Sequence, residues 1–278
     1  MNGTIAVGVT DAPGARSALH WAIERAIARR DRLRLVGVVG SAWGIVGEEM
    51  LVGDALSRTT TLLEEAAASA HAAGADAEIL VERGDPVARL IDVSGRVDLL
   101  VLGSDFVHDG PRLRGVRGVR IAAGAHCPVV VVPEDGARDR AGVVVGVDGS
   151  EASEKAVAFA AAEADRTGDG LTAVMTWSPV PVPFELEGYP PDYLERMQAL
   201  TTEDLAISLA GLRQDYPDLA VTTLVESGYP AAALRRLSRS ARLLVVGSHG
   251  RGPLGRFLLG STSQEVLTQL STVTAIVR

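Results

Sequence analysis

Short, nearly continuous apolar runs recur along this chain, separated by longer stretches whose small and apolar residues fall on one helical face. In the first half the runs predict strands over 4–9, 33–39, 76–82, 98–103 and 128–132. Between the first four lie helical patterns over 14–30, 52–73 and 86–96, and a last helix follows the fourth strand. The second half repeats the order, with strands over 142–147, 171–177, 219–226, 242–247 and 273–277. Its helices are predicted over 151–167, 192–214 and 230–240, again with a last helix before the final strand. Pro86 and Pro230 each follow a glycine-containing turn and suit the first position of a helix. Strand–helix alternation of this kind implies a parallel sheet covered by helices on both faces.

The two halves are one unit written twice. Ile5-Ala6-Val7-Gly8-Val9 recurs as Val143-Val144-Val145-Gly146-Val147, and Trp21 matches Phe159 in the helix that follows. Val81–Pro86 matches Val225–Pro230, and the match continues without a gap to Leu99–Ser104 against Leu243–Ser248. The offset grows from 138 to 144, so the second copy holds about six extra residues. They belong in Ser178–Asp192, where Pro179, Pro181, Pro183, Pro190 and Pro191 predict an extended loop. Glu134–Arg140 reads as the linker. The expected domains are 1–136 and 141–278, each a doubly wound, five-stranded parallel α/β sheet.

The composition narrows the function. At 278 residues, 47% hydrophobic and 22% charged, the chain has material for two buried cores. A formal charge of −8 argues against a nucleic-acid partner or an acidic membrane surface. No apolar run approaches the roughly 20 residues that span a bilayer. The start of the chain lacks the pattern of a signal peptide. The single cysteine, Cys127, cannot form an internal disulfide and reads as a small buried thiol. A soluble cytoplasmic protein is expected. His20, His71, His108, His126 and His249 show no metal-ligand spacing with Cys127 or with one another, so no metal site is expected.

The segment richest in chemistry is Gly247-Ser248-His249-Gly250-Arg251-Gly252-Pro253-Leu254-Gly255-Arg256-Phe257-Leu258-Leu259-Gly260-Ser261-Thr262. It leaves the end of a strand, carries repeated glycines and opens a new helix. Ligands of such sheets bind outside the carboxyl ends of the strands. Glycine lets main-chain N–H groups approach a ligand closely, and a helix N-terminus adds unpaired donors. Ser261 and Thr262 add hydroxyls, and Arg251 and Arg256 add positive charge. The pattern points to a polyphosphate; a flexible connection with a serine cap is the plainer reading of the same residues. Gly250-x-Gly252-x-x-Gly255 formally matches a dinucleotide fingerprint, but that motif belongs after the first strand of its unit, not the fourth. No Gly-Lys-Ser/Thr triplet is present for a Walker loop.

Gly247-x-x-Gly250, nine residues, then Gly260-Ser261 resembles the G-2x-G-9x-G-(S/T) signature of the ATP-binding universal stress proteins. Val145-Gly146-Val147-Asp148-Gly149-Ser150 resembles that family's opening strand, and the turn at Gly228-Tyr229-Pro230 also fits. The resemblance covers nearly the whole chain as two tandem copies and implies an adenine nucleotide alpha hydrolase-like fold. It implies ATP as cofactor, with or without Mg2+, in the second copy. Asp148, beside Gly146 and Val147, would contact the adenosine, and Thr176 and Val246 would flank the base. Main-chain groups of Gly247, Gly250 and Gly260, with Ser261 and Thr262, would hold the phosphates. Ser248, His249, Arg251 and Gly252 complete the candidate cofactor-binding set, with a place on the loop surface the alternative for His249. Adenine comes from the resemblance alone, and for Asp148 a capping role at the turn is the alternative.

The first copy departs from the pattern. Phe106 stands where the second glycine should be, Gly115 is followed by Val116 in place of Ser or Thr, and Thr10 replaces Asp148. Weak or no ATP binding is expected there. Arg112, Arg114, Arg117 and Arg120 read as a solvated basic face, with a site for some other anion the alternative.

Three functions compete on these residues. The first is a nucleotide-binding stress or signalling protein. The second is a slow ATPase or nucleotidyl-transfer enzyme, and the third is an interaction module that has lost its ligand. The loop supplies no base or metal-binding carboxylate set for chemistry at a γ-phosphate, and catalytic residues are not assigned. Similar units in one chain can pair as a pseudo-dimer through Val129–Val132 and Val273–Val277, and the chain itself can form a homodimer.

Overall fold

The computed structural model describes residues 3–40, 48–104, 116–137, 139–180, 188–250 and 258–278. Two compact units divide the chain, one over Met1–Arg138 and the other over Asp139–Gly255 with Leu259–Arg278. Pro181 and Pro183 of the proline-rich insert lie outside the described residues.

In the first unit the strands are β1 (Thr4–Gly8), β2 (Arg32–Val39), β3 (Ala77–Arg83), β4 (Leu99–Gly103) and β5 (Val129–Val132). They pair in parallel in the order β3-β2-β1-β4-β5. The helices between them are α1 (Pro13–Arg29), α2 (Glu48–Ala72), α3 (Pro86–Ser94) and α4 (Val116–Gly124). Leu99–Leu102 and Val129–Val132 are buried without a break, the mark of strands covered on both faces. Proline opens α1 and α3 at their first positions. Asp85 caps α3 by accepting the Ala88 N–H at 2.9 Å.

The second unit repeats the plan with β6 (Val143–Val147), β7 (Leu171–Trp177), β8 (Val221–Ser227), β9 (Leu243–Gly247) and β10 (Val273–Val277). Its parallel order is β8-β7-β6-β9-β10. The helices are α5 (Glu151–Thr167), α6 (Tyr193–Ser208), α7 (Leu212–Asp215), α8 (Pro230–Ser238) and α9 (Ser261–Thr268). Ser150 caps α5, Glu151 and Glu154 in the first turn face the positive end of its dipole, and Gly168 ends it at φ 69°.

One element differs from expectation. The helix predicted over 192–214 is broken into α6 and α7. Gly211 adopts φ 86°, a left-handed conformation that stops a helix, and Leu212 then turns into the core at 8% exposure. Helical periodicity runs through the break because the buried Leu205 of α6 and Leu212 of α7 are seven residues apart, a helical spacing.

In each unit the first strand sits between neighbours whose connections leave in opposite directions. This makes the carboxyl ends of β1 and β4, and of β6 and β9, the switch points where such sheets form a crevice.

Candidate functional site

A cavity of about 310 Å³ opens at the β6–β9 switch point of the second unit. Gly146, Val147 and Asp148 reach it from the end of β6, Val174 and Thr176 from β7, and Val246 and Gly247 from β9. His249, Gly250, Gly260, Ser261 and Thr262 line it from the loop and the start of α9. Ser248 stands just behind this wall, 2% exposed, and its backbone N–H donates to the Val277 carbonyl at 2.6 Å. Arg251, Gly252, Gly255 and Arg256 lie outside the described residues.

Five lining residues are not among the expected site residues: Val174, and four from neighbouring helices, of which Pro230 is expected only as the start of a helix. Pro230 and Leu234 come from the first turns of α8, one helical turn apart, and Ser153 and Ser263 from α5 and α9. Gly146 belongs where it is because a Cβ there would stand 2.9 Å from Leu234 Cδ1. Val174, Pro230 and Leu234 make the β7–α8 side of the cavity apolar, and Val246 adds an apolar side chain from β9. The β9–α9 side is rich in main chain.

That polar side is held open by its own hydrogen bonds. Gly260 N–H donates to the Ser248 carbonyl at 2.8 Å, fixing the start of α9 against the loop. Ser263 Oγ donates to the Gly247 carbonyl at 2.6 Å. Gly260 is the N-cap residue of α9, and no side chain caps the helix. Its first N–H groups are therefore available to an anion in the cavity. Ser261 is the first residue inside the helix, not its cap.

Two side chains supply the ionisable groups of the described wall. The imidazole of His249 shares a hydrogen bond between Nδ1 and Ser248 Oγ at 2.9 Å. Its Nε2 is buried without a partner among the described residues, an arrangement that costs about 1–3 kcal/mol until something pairs with it. Asp148 is half-buried. Its Oδ1 accepts the Ser150 N–H at 3.0 Å and the Ser150 hydroxyl at 2.6 Å. Gly149 makes the sharp turn between them at φ 74°.

The corresponding place in the first unit is built differently. Thr10 stands in for Asp148, and its Oγ1 accepts the Ala12 N–H at 3.3 Å. Ala12, in the position of Ser150, leaves α1 without a side-chain cap. Gly103 and Gly14 lie back to back, so that a Cβ on Gly103 would run into the Gly14 backbone. In the second unit Ala152 replaces Gly14, and the same Cβ on Gly247 would meet it at 3.0–3.1 Å. The first helix thus presses closer to the fourth strand in the first unit. Phe106, Gly115, Arg112 and Arg114 lie outside the described residues, whereas Arg117 and Arg120 fall on α4.

The pattern of the universal stress protein family matches residues 1–133 and again 142–278. The chain belongs to that family. Universal stress protein Rv2623 of Mycobacterium tuberculosis is 34% identical over 293 residues, covering 98% of this chain and 95% of its own length. Universal stress protein Rv2005c of the same organism is 34% identical over 285 residues, covering 95% and 92%. A crystal structure of a universal stress protein from Archaeoglobus fulgidus superposes with a TM-score of 0.72 at 19% identity, covering 99% of this chain and 98% of that one. A putative universal stress protein from Pseudomonas aeruginosa gives 0.70 at 15% identity, covering 99% and 93%. The fold is therefore that of a tandem universal stress protein, two α/β units with parallel sheets.

Among the described residues no helix is long and apolar enough to cross a membrane. No group of three or more His, Cys, Asp or Glu side chains among them is placed to hold a metal ion.

Proposed function

We propose that the second unit, 141–278, binds ATP and that the protein acts in stress response or signalling through the conformation or partner choice that the nucleotide sets. The observation that carries this reading is the meeting of an uncapped helix start, a glycine-lined loop and the Asp148 carboxylate around one cavity at the switch point. The cavity lies within the usual range for small-ligand sites, about 300–1,000 Å³. The apolar side, with Val174, Thr176, Val246 and Leu234, suits a base. Asp148 suits a ribose hydroxyl. The N–H groups of Gly250, Ser261 and Thr262, the two hydroxyls and His249 Nε2 suit phosphate oxygens, with Gly260 fixing the start of the helix against the loop. The loop arginines Arg251 and Arg256 add charge in the same reading.

Asp148 is the one carboxylate on the described cavity wall, so a Mg2+ ion would arrive held chiefly by phosphate oxygens and water. The first unit, 1–136, is the degenerate copy in this reading. It lacks the carboxylate and the capping serine, and its helix α1 crowds the end of β4. Self-association of the tandem chain is part of the same proposal and is read by light scattering with and without nucleotide.

Calorimetric titration of ATP into wild type, Asp148→Ala and Gly260→Ala tests the site. Binding by wild type that is lost or strongly weakened in both variants supports it, and an unchanged Gly260→Ala thermogram overturns it. Sustained phosphate release far above the uncatalysed background would favour an ATPase instead.

A further inference from the structure

A single hydroxyl, that of Ser150, ties together three parts of the second unit. As the N-cap of α5, its Oγ accepts the Ser153 N–H at 3.2 Å. It also donates to Asp148 Oδ1 at 2.6 Å, and the carbonyl of His249 in the loop lies 3.4 Å away. A serine hydroxyl has one proton to give. The short bond to a carboxylate is the stronger of the two, so the proton belongs to Asp148. Together with the Ser150 N–H at 3.0 Å, two donors pin Oδ1. Among the described residues Oδ2 receives no hydrogen bond, and it faces Gly250, where a Cβ would stand 2.5 Å from it. Asp148, on the cavity wall, therefore keeps one carboxylate oxygen without a donor among the described residues, on a side chain that cannot readily turn. In the first unit both members of the pair are replaced, by Thr10 and Ala12.

We propose that Ser150 is a positioning residue for sugar recognition, holding Asp148 so that Oδ2 accepts a hydrogen bond from a ribose hydroxyl of the nucleotide. The proposal rests on the nucleotide reading above and adds to it the group that makes Asp148 selective. Without the Ser150 hydroxyl the carboxylate keeps its charge but loses its fixed direction, and directional recognition falls with it.

The affinities of ATP, 2′-deoxy-ATP and 3′-deoxy-ATP for wild type, Ser150→Gly and Ser150→Thr provide the test. Glycine is among the residues tolerated at an N-cap, so Ser150→Gly removes the hydroxyl without removing the helix. Wild type should prefer ATP over at least one deoxy analogue by about tenfold, the scale of one hydrogen bond to a charged group. Ser150→Gly should reduce that preference to about threefold or less, and Ser150→Thr should restore it. Equal weakening of all three ligands by Ser150→Gly, with the preference intact, reduces Ser150 to a structural cap and overturns the proposal. Tight ATP binding by wild type with no preference for the ribose also overturns it while leaving the nucleotide reading standing. Failure of wild type to bind any of the three ends both.

Discussion

Asp148 and Gly250 are in such close register that a Cβ on Gly250 would stand 2.5 Å from Asp148 Oδ2. The close approach of the acid at the end of β6 by itself leaves no room for a side chain there. Gly250→Ala should therefore displace Asp148 from Ser150 or push the loop back, and weaken ATP binding by tenfold or more. In an Asp148→Ala background the clash is gone, so the same substitution should cost little further affinity. Calorimetry on the two single variants and the double variant measures this coupling directly.

A second expectation concerns stoichiometry. With Thr10 and Ala12 where the second unit has Asp148 and Ser150, and α1 pressed onto β4, the chain should bind one ATP, not two. A titration should give one site per chain, and Gly260→Ala should remove that site without exposing another. Two equivalent sites would contradict the asymmetry between the copies.

Much of this architecture was legible in the sequence because parallel strands buried on both faces leave uninterrupted apolar runs. The ungapped match from Val81 to Ser104 against Val225 to Ser248 carried the repeat. Several residues of the polar wall stood out in the sequence too, because Gly247, Gly250 and Gly260-Ser261-Thr262 fall within one short glycine-rich segment. The missed residues were those whose role comes from packing across elements. Pro230 and Leu234 read as ordinary helix positions until α8 is laid over β6 and β7. Ser150 offered a signal in its spacing from Asp148, but a serine two residues after an aspartate reads equally as a simple cap. The break at Gly211 was hidden because apolar periodicity continues on both sides of it.

The glycines behind the fourth strands should differ in their tolerance of a side chain. Gly103→Ala places a methyl group into the backbone of Gly14, which cannot give way without moving α1. Overpacking of this kind costs about 3 kcal/mol or more. Gly247→Ala meets Ala152 at 3.0–3.1 Å, a contact relieved by small shifts, and should cost about 1 kcal/mol. Urea denaturation of the two variants against wild type gives the comparison. Equal losses would mean that the tighter contact in the first unit has no energetic consequence.

The pH dependence of stability should carry the mark of Asp169, whose carboxylate accepts Arg242 Nε at 2.7 Å and the Thr167 hydroxyl at 2.9 Å. Burial alone pushes this carboxyl upward. The hydrogen bonds from Arg242, the Gly142 backbone and Thr167, with the charge of Arg242, outweigh that effect and leave it below the usual carboxylate range. Because the folded value is the lower one, the unfolded chain binds more protons as acid is added. The stabilisation is therefore complete above the unfolded value of about 3.9 and is lost as pH falls through the folded value. Asp169→Asn should destabilise the protein at pH 7 and about equally at pH 5. The gap to wild type should then close progressively below about pH 4. Unfolding midpoints at pH 7, 5, 4 and 3 follow it, and a gap that stays constant to pH 3 would show that the Arg242–Asp169 pair contributes nothing that protonation removes.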